Sequence, residues 1–140
     1  MKIREFQEYV KDRLNDVEAL VQGGCKAIAE SQLNVMNEVS KRIQTIKGIA
    51  VVVTTPDMKR NGCAKDCLPV DSLLAIRCIE IPALNRGRSG AITALDAAEI
   101  VAHALDGDNI GFVDIQQRID ERSGTITATA NFNVCINLTR

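Results

Sequence analysis

Aromatic residues make up only 3% of this 140-residue chain: three Phe, one Tyr and no Trp. So few rings exclude a base-stacking platform for single-stranded nucleic acid and a carbohydrate-binding face. A basic excess is also lacking. Lys plus Arg number 17 against 18 Asp plus Glu, a formal net charge of -1, whereas a dedicated nucleic-acid binder carries surplus positive charge. Histidine occurs once, at position 103, which is too little imidazole for most zinc enzymes. No apolar run approaches the ~20 residues of a membrane helix. The first residues, Met1 to Phe6, are charged and amphipathic and do not read as a signal peptide.

What remains is ordinary globular composition, 46% hydrophobic and 25% charged, at a length that suits one domain, 1–140. A chain of this size buries roughly two-thirds of its unfolded surface. Five cysteines (Cys25, Cys63, Cys67, Cys78, Cys135) form an odd set, which reads as reduced thiols rather than a disulfide framework.

Periodicity divides the chain. Phe6, Tyr9, Val10, Leu14, Val17, Leu20 and Val21 recur at helical steps, predicting a helix over Ile3–Val21 that Gly23-Gly24 ends. Cys25–Glu30 reads as a short extended piece. A second helix is expected over Gln32–Lys47, capped by Ser31 and stopped by Gly48. The β-branched run Ile49–Thr55 predicts a strand closed by Pro56. Met58–Pro69 reads as a polar loop and Val70–Ile81 as the second strand of a long hairpin, with Leu74, Ile76 and Cys78 on one face and Arg77 on the other. After an irregular connection, Pro82–Gly90, an alanine-rich helix is expected over Ile92–Leu105, its inner stripe being Ile92, Leu95, Ala98, Ala102 and Leu105. A second hairpin follows: Ile110–Ile119, a turn at Asp120–Gly124, and a strictly alternating strand from Thr125 to Thr139 with Ala, Phe, Val, Ile and Leu against Thr, Asn and Cys. The expected fold is α+β, in the order α-α-β-β-α-β-β: a mostly antiparallel four-stranded sheet of two hairpins (49–81 and 110–139) covered on one face by N-terminal helices (1–48) and a central helix (91–106).

Chemistry finds few footholds. Cys63 and Cys67 stand four apart beside Lys65 and Asp66, half of what a metal site needs, and no second compact pair exists. A small thiol- or metal-binding protein using Cys63 and Cys67 is the alternative this spacing keeps open. His103 shares helical spacing with Asp96 and Glu99, which equally describes a solvated face. Asn85–Gly90 is a basic stretch carrying Arg86 and Arg88, punctuated by Gly87 and Gly90. It suits an anion cradle less well than a connection whose arginines pair with acids on a neighbouring chain, and it lacks a P-loop or GxGxxG pattern. Lys59, Arg60 and Lys65 make the hairpin loop locally basic. No nucleophile has a base beside it, so no enzyme is expected, and neither a cofactor nor a metal.

The strings IAVVVTTPD (Ile49–Asp57), LLAIRCIEIPALNRGRSG (Leu73–Gly90), ALDG (Ala104–Gly107) and TATANFNVCINL (Thr127–Leu138) together resemble the tail terminator, or tail-completion, proteins of long-tailed bacteriophages. The resemblance spans the chain at the level of element pattern. It implies a structural protein of a virion or prophage that forms a homo-oligomeric, hexameric ring. The ring caps the tail tube, joins it to head-connector proteins, and passes DNA through its lumen without reading sequence. It implies assembly in the bacterial host cytoplasm and no membrane. On it, Lys59, Arg60, Lys65, Arg86 and Arg88 are the expected ring or lumen contacts. A different head–tail connector or tube-like virion subunit fits the same pattern.

Overall fold

A computed structural model describes residues 2–29, 48–60, 67–107 and 109–139; for residues 59–60, 67–71 and 137–139 it describes the backbone only. Helix α1 (Ile3–Asn15) buries Phe6, Val10 and Leu14 along one stripe, and its start is held by the Lys2 amide donating to Glu5 Oε2 at 3.0 Å. The stripe continues beyond Asn15 but the helix does not. Asp16 closes α1, and a separate single turn, α2 (Glu18–Gln22), follows after Val17. The single helix expected over Ile3–Val21 is therefore two. Apolar spacing alone cannot register such a break, because Val17 and Leu20 still turn toward the same core.

Asn15 sets the next element. Its side-chain amide donates to Ala27 O at 3.2 Å and its Oδ1 accepts from Ala27 N at 2.8 Å. It thereby acts as a strand neighbour for β1 (Ala27–Ala29), the extended piece expected there. β2 (Ile49–Val53) is buried on both faces. Thr54 and Pro56 interrupt it before β3 (Asp57–Arg60), which pairs with the same edge of β4 (Cys67–Glu80) as β2 does. The Met58–Pro69 loop is thus narrower than expected. Its first residues form β3, a mostly polar strand whose Met58 packs on the core and which only the partner strand reveals. The expected helix over Gln32–Lys47, its cap Ser31, and the loop residues Cys63 and Lys65 lie outside the described residues.

After β4 come a short helix α3 (Pro82–Asn85), then α4 (Ala94–Leu105), β5 (Ile110–Asp120) and β6 (Thr125–Thr139). Thr93 starts α4: Asp96 N donates to Thr93 Oγ1 at 3.1 Å, and Asp96 Oδ2 accepts from Thr93 N at 3.2 Å. Among the described residues the sheet has six strands rather than four. Its order is β1-β2-β4-β6-β5, with β3 beside β4. It is mixed, since β1 runs parallel to β2 and the other pairs are antiparallel. The two expected hairpins are joined by a continuous antiparallel register between β4 and β6, from Cys67–Thr139 to Glu80–Ile126. No sequence signal specifies that pairing, because the partners are remote in the chain.

Alternation sorts the two faces. Leu74, Ile76 and Cys78 on β4 and Ala128, Ala130, Phe132, Val134 and Ile136 on β6 turn toward α1, α2 and α4 and form the main core. The alanines of α4 (Ala94, Ala97, Ala98) are fully buried and let the helix lie close on the sheet. A smaller cluster of Ile28, Ala50 and Val52, with Ile79 and Ile81, sits on the opposite face at the β1–β2 side. On β5 a bulge between Phe112 and Asp114 inserts Val113 and reverses the phase. Ile110 and Phe112 before it, and Ile115 and Ile119 after it, share the helix-covered side. Asp114, Gln116 and Arg118 are sent to the other side.

Candidate assembly surface

None of the described helices packs on the far face of β4, β6 and β5. On β6 its side chains are short and uncharged, Thr127, Thr129, Asn131 and Asn133, while β4 adds exposed Leu73 and Arg77 with Ala75 and Ile79 between and beyond them. Asp114 on β5 accepts from Asn131 Nδ2 at 2.8 Å and from Gln116 Nε2 at 3.4 Å, which ties the edge strand to β6 across the face. Arg77, Thr129 and Gln116 lie in one cross-strand row, and Thr127 and Arg118 in the adjacent row. These rows line a shallow trough of about 520 Å³. Neither Arg77 nor Arg118 has an acidic partner within ion-pair distance among the described residues. The surface is a broad, polar, mildly positive sheet face, bordered by an eleven-residue strand, β5, whose outer edge pairs with no described strand. Long free edges are self-association hazards unless something covers them.

The residues expected at ring contacts do not converge. Arg86 and Arg88 belong to a network inside the molecule. Glu80, wholly buried at the end of β4, receives Asn85 Nδ2 at 2.7 Å, Arg86 Nε at 3.2 Å, Arg86 Nη2 at 3.4 Å and the Ala94 amide at 3.2 Å. Burial alone would raise the Glu80 carboxyl. Hydrogen bonds from Arg86 and Asn85, the Ala94 amide at the start of α4, and the Arg86 charge reverse this and hold it below the usual carboxylate range. Arg88 donates to Gly23 O at 2.9 Å and to Asn85 Oδ1, fastening the end of α2 to the same cluster. The acid that Arg86 pairs with here is therefore on its own chain. Lys59 and Arg60 stand on β3 opposite Asp71 and Val70, while Arg86 binds at Glu80. Val70 and Glu80 are ten residues apart on one strand, which is about 33 Å.

Glu80 and Arg118 escaped the sequence reading, yet each left a trace. Glu80 occupies the same phase as Leu74, Ile76 and Cys78, which marks an acid pointing into the core. Arg118 is displaced to the polar face by the bulge at Val113, so simple alternation along β5 misplaces it. His103 is exposed, and Asp96 is engaged in capping α4, so the triad of Asp96, Glu99 and His103 forms no site. No group of three His, Cys, Asp or Glu side chains among the described residues could hold a metal ion. Cys25 and Cys78 are buried, and burial pushes the Cys78 thiol well up, with Cys25 adding to the rise. Among the described residues no helix is long and apolar enough to cross a membrane.

No protein-family model matches the chain, and no curated protein sequence matches it. Among solved structures, a crystal structure from Akkermansia muciniphila superposes at a TM-score of 0.30 with 10% identity, over 100% of this chain and 81% of that one, too loosely to establish a common fold. A chain of the virion of a native gene transfer agent particle superposes at a TM-score of 0.61 with 15% identity, over 94% of this chain and 93% of that one: the two share a fold along nearly their whole lengths.

Proposed function

We propose that this chain is a structural, non-catalytic subunit of a phage-like particle, and that it acts as a tail terminator: a homo-oligomeric ring that caps the tail tube and meets the head connector. The observation that carries the reading is the face of β4, β6 and β5 that no described helix covers, with an edge strand that pairs with no described strand, in a fold shared over nearly its whole length with a component of a gene transfer agent virion. A monomer gains nothing from a long polar sheet face bordered by an unpaired edge, whereas a repeating contact between copies covers the edge and closes by rotation. Small uncharged side chains with Arg77 and Arg118 among them suit a lumen through which DNA moves without being gripped. Near-neutral net charge, -1, lets like copies approach.

Purified protein should form rings by negative-stain microscopy and a discrete multimer by light scattering. Added to assembling tail tubes, it should bind their ends and stop elongation. A protein that polymerises into tubes, or binds portal assemblies without touching tubes, is instead a tube-like or connector subunit. A strict monomer at every concentration removes the ring reading altogether.

A further inference from the structure

A second feature lies on the helix-covered side, at the end of the molecule where β5 begins. Phe6, Tyr9 and Arg13 of α1, Leu105 at the end of α4, Ile110, and Val134 and Ile136 of β6 enclose a groove of about 540 Å³. Phe6, Leu105, Ile110, Val134 and Ile136 supply its apolar part, Gly107, Asn109 and Cys135 complete the lining, and Arg13 is its one cation. Arg13 is fixed there by Nε donating to Ala104 O at 3.2 Å and Nη1 donating to Tyr9 OH at 3.1 Å. Both partners are neutral, and no acid pairs with Arg13 among the described residues. The groove therefore suits an apolar side chain with an acidic group next to it.

The chain carries such a segment at the opposite end of the same hairpin. Ile119 is 62% exposed, the most of any large apolar side chain described, and Asp120 and Glu121 follow it. Asp120 accepts from the turn amides of Arg122 and Ser123, which fixes the corner's shape, and Glu121 is exposed. Ile119 cannot reach the groove of its own molecule. It lies nine residues along β5 from Ile110, about 30 Å on a strand held in register by β6.

We propose that the corner formed by Ile119, Asp120 and Glu121 of one copy seats in the Phe6–Arg13–Leu105 groove of the next, with Ile119 against its apolar side chains and Glu121 toward Arg13. The contact is heterologous: each copy gives its corner and receives at its groove, the arrangement that builds a ring. It rests on the self-association proposed above and names the surfaces that carry it.

Two single variants and their mixture test it. Ile119→Asp alters only an exposed side chain. Gly107→Phe fills the groove from its rim, where an added Cβ would meet nothing nearer than Leu105 O at 3.9 Å. Sedimentation velocity should find wild type multimeric and each variant monomeric with unchanged melting. An equimolar mixture should give heterodimers, because one variant keeps an open groove and the other an intact corner. As a check independent of Gly107, Glu121→Arg should weaken association at least tenfold, and Arg13→Glu added to it should restore most of the loss. Multimers that persist in Ile119→Asp, or a mixture that stays monomeric, overturn this contact while leaving ring formation standing. A monomeric wild type removes both.

Discussion

The side-chain amide of Asn85 donates to the Glu80 carboxylate at 2.7 Å, and neither residue has any exposed surface. Asn85 also donates to Ile92 O at 2.7 Å and accepts from Arg88, so one buried amide joins β4, α3, the approach to α4 and, through Arg88, the end of α2. The connection from Pro82 to Gly90 looks irregular in sequence, yet its conformation is held by polar groups that are all satisfied.

Removing one member of that network should cost far more than a surface charge does. Glu80→Ala leaves Asn85 Nδ2 and the Ala94 amide short of an acceptor inside the protein, and about 3 kcal/mol of stability should be lost. Urea unfolding followed by circular dichroism measures it. An unchanged midpoint would mean that the cluster contributes nothing.

The same carboxyl makes stability depend on pH. Its folded pKa lies below its unfolded value. Its contribution is therefore complete above the unfolded carboxylate range, about pH 4 to 5, and disappears as pH falls through the folded value. Wild-type unfolding free energy should decline on the acid side of pH 5, and Glu80→Gln should flatten that decline. Asp120, also held low, by its bonds from Ser123 and Arg122, leaves a residual slope in both proteins.

Gly48 precedes β2 at φ +76°, and a Cβ there would meet Asn85 N and Leu84 Cβ, each at 2.7 Å. Gly48→Ala combines left-handed strain with a clash against backbone that is itself pinned by the Glu80 cluster. A loss of about 2 to 3 kcal/mol is expected. Gly87→Ala is the control: an added Cβ there meets nothing within 4 Å, and its melting temperature should stay close to wild type.

Thiol chemistry should follow burial. In a Cys63→Ser/Cys67→Ser background, Cys135 is the exposed thiol, while Cys25 and Cys78 are buried and the Cys78 thiolate is strongly disfavoured. Alkylation monitored by mass spectrometry should modify Cys135 first. Cys78 should react only at the rate of unfolding.

The polar face has its own test. Arg77→Glu with Arg118→Glu changes two exposed side chains that have no acidic partner among the described residues, so folding and the proposed ring formation should survive. If that face borders the DNA path, particles assembled with this variant should contain less DNA, counted as filled against empty heads.

What could be read from the sequence was what neighbouring residues decide. Strict alternation from Thr125 to Thr139 gave β6 its two faces, and the alanines after Thr93 gave a helix lying close on a sheet. What escaped depends on remote partners. β3, mostly polar, becomes a strand only opposite residues 70–73 of β4, and the extended piece at Ala27–Ala29 gains its parallel pairing only from β2. The bulge at Val113 shifts the phase of β5 in mid-strand, which hid Arg118. Arg86 and Arg88 are expected from the sequence at ring or lumen contacts, but the partners they have, Glu80 and the carbonyl of Gly23, are specified by packing that no local pattern encodes.

The position of β6 between β4 and β5 bears on how the subunit is made. Translation delivers β6 after both of its neighbours, and its fourteen-residue register with β4 spans about 47 Å of backbone. Until it arrives, the sheet has no middle, and neither the polar face nor the groove walled by Val134 and Ile136 exists. Under the proposed contact, a nascent or truncated chain without β6 has no groove to receive a neighbouring copy's corner, so an unfinished copy could not complete a ring.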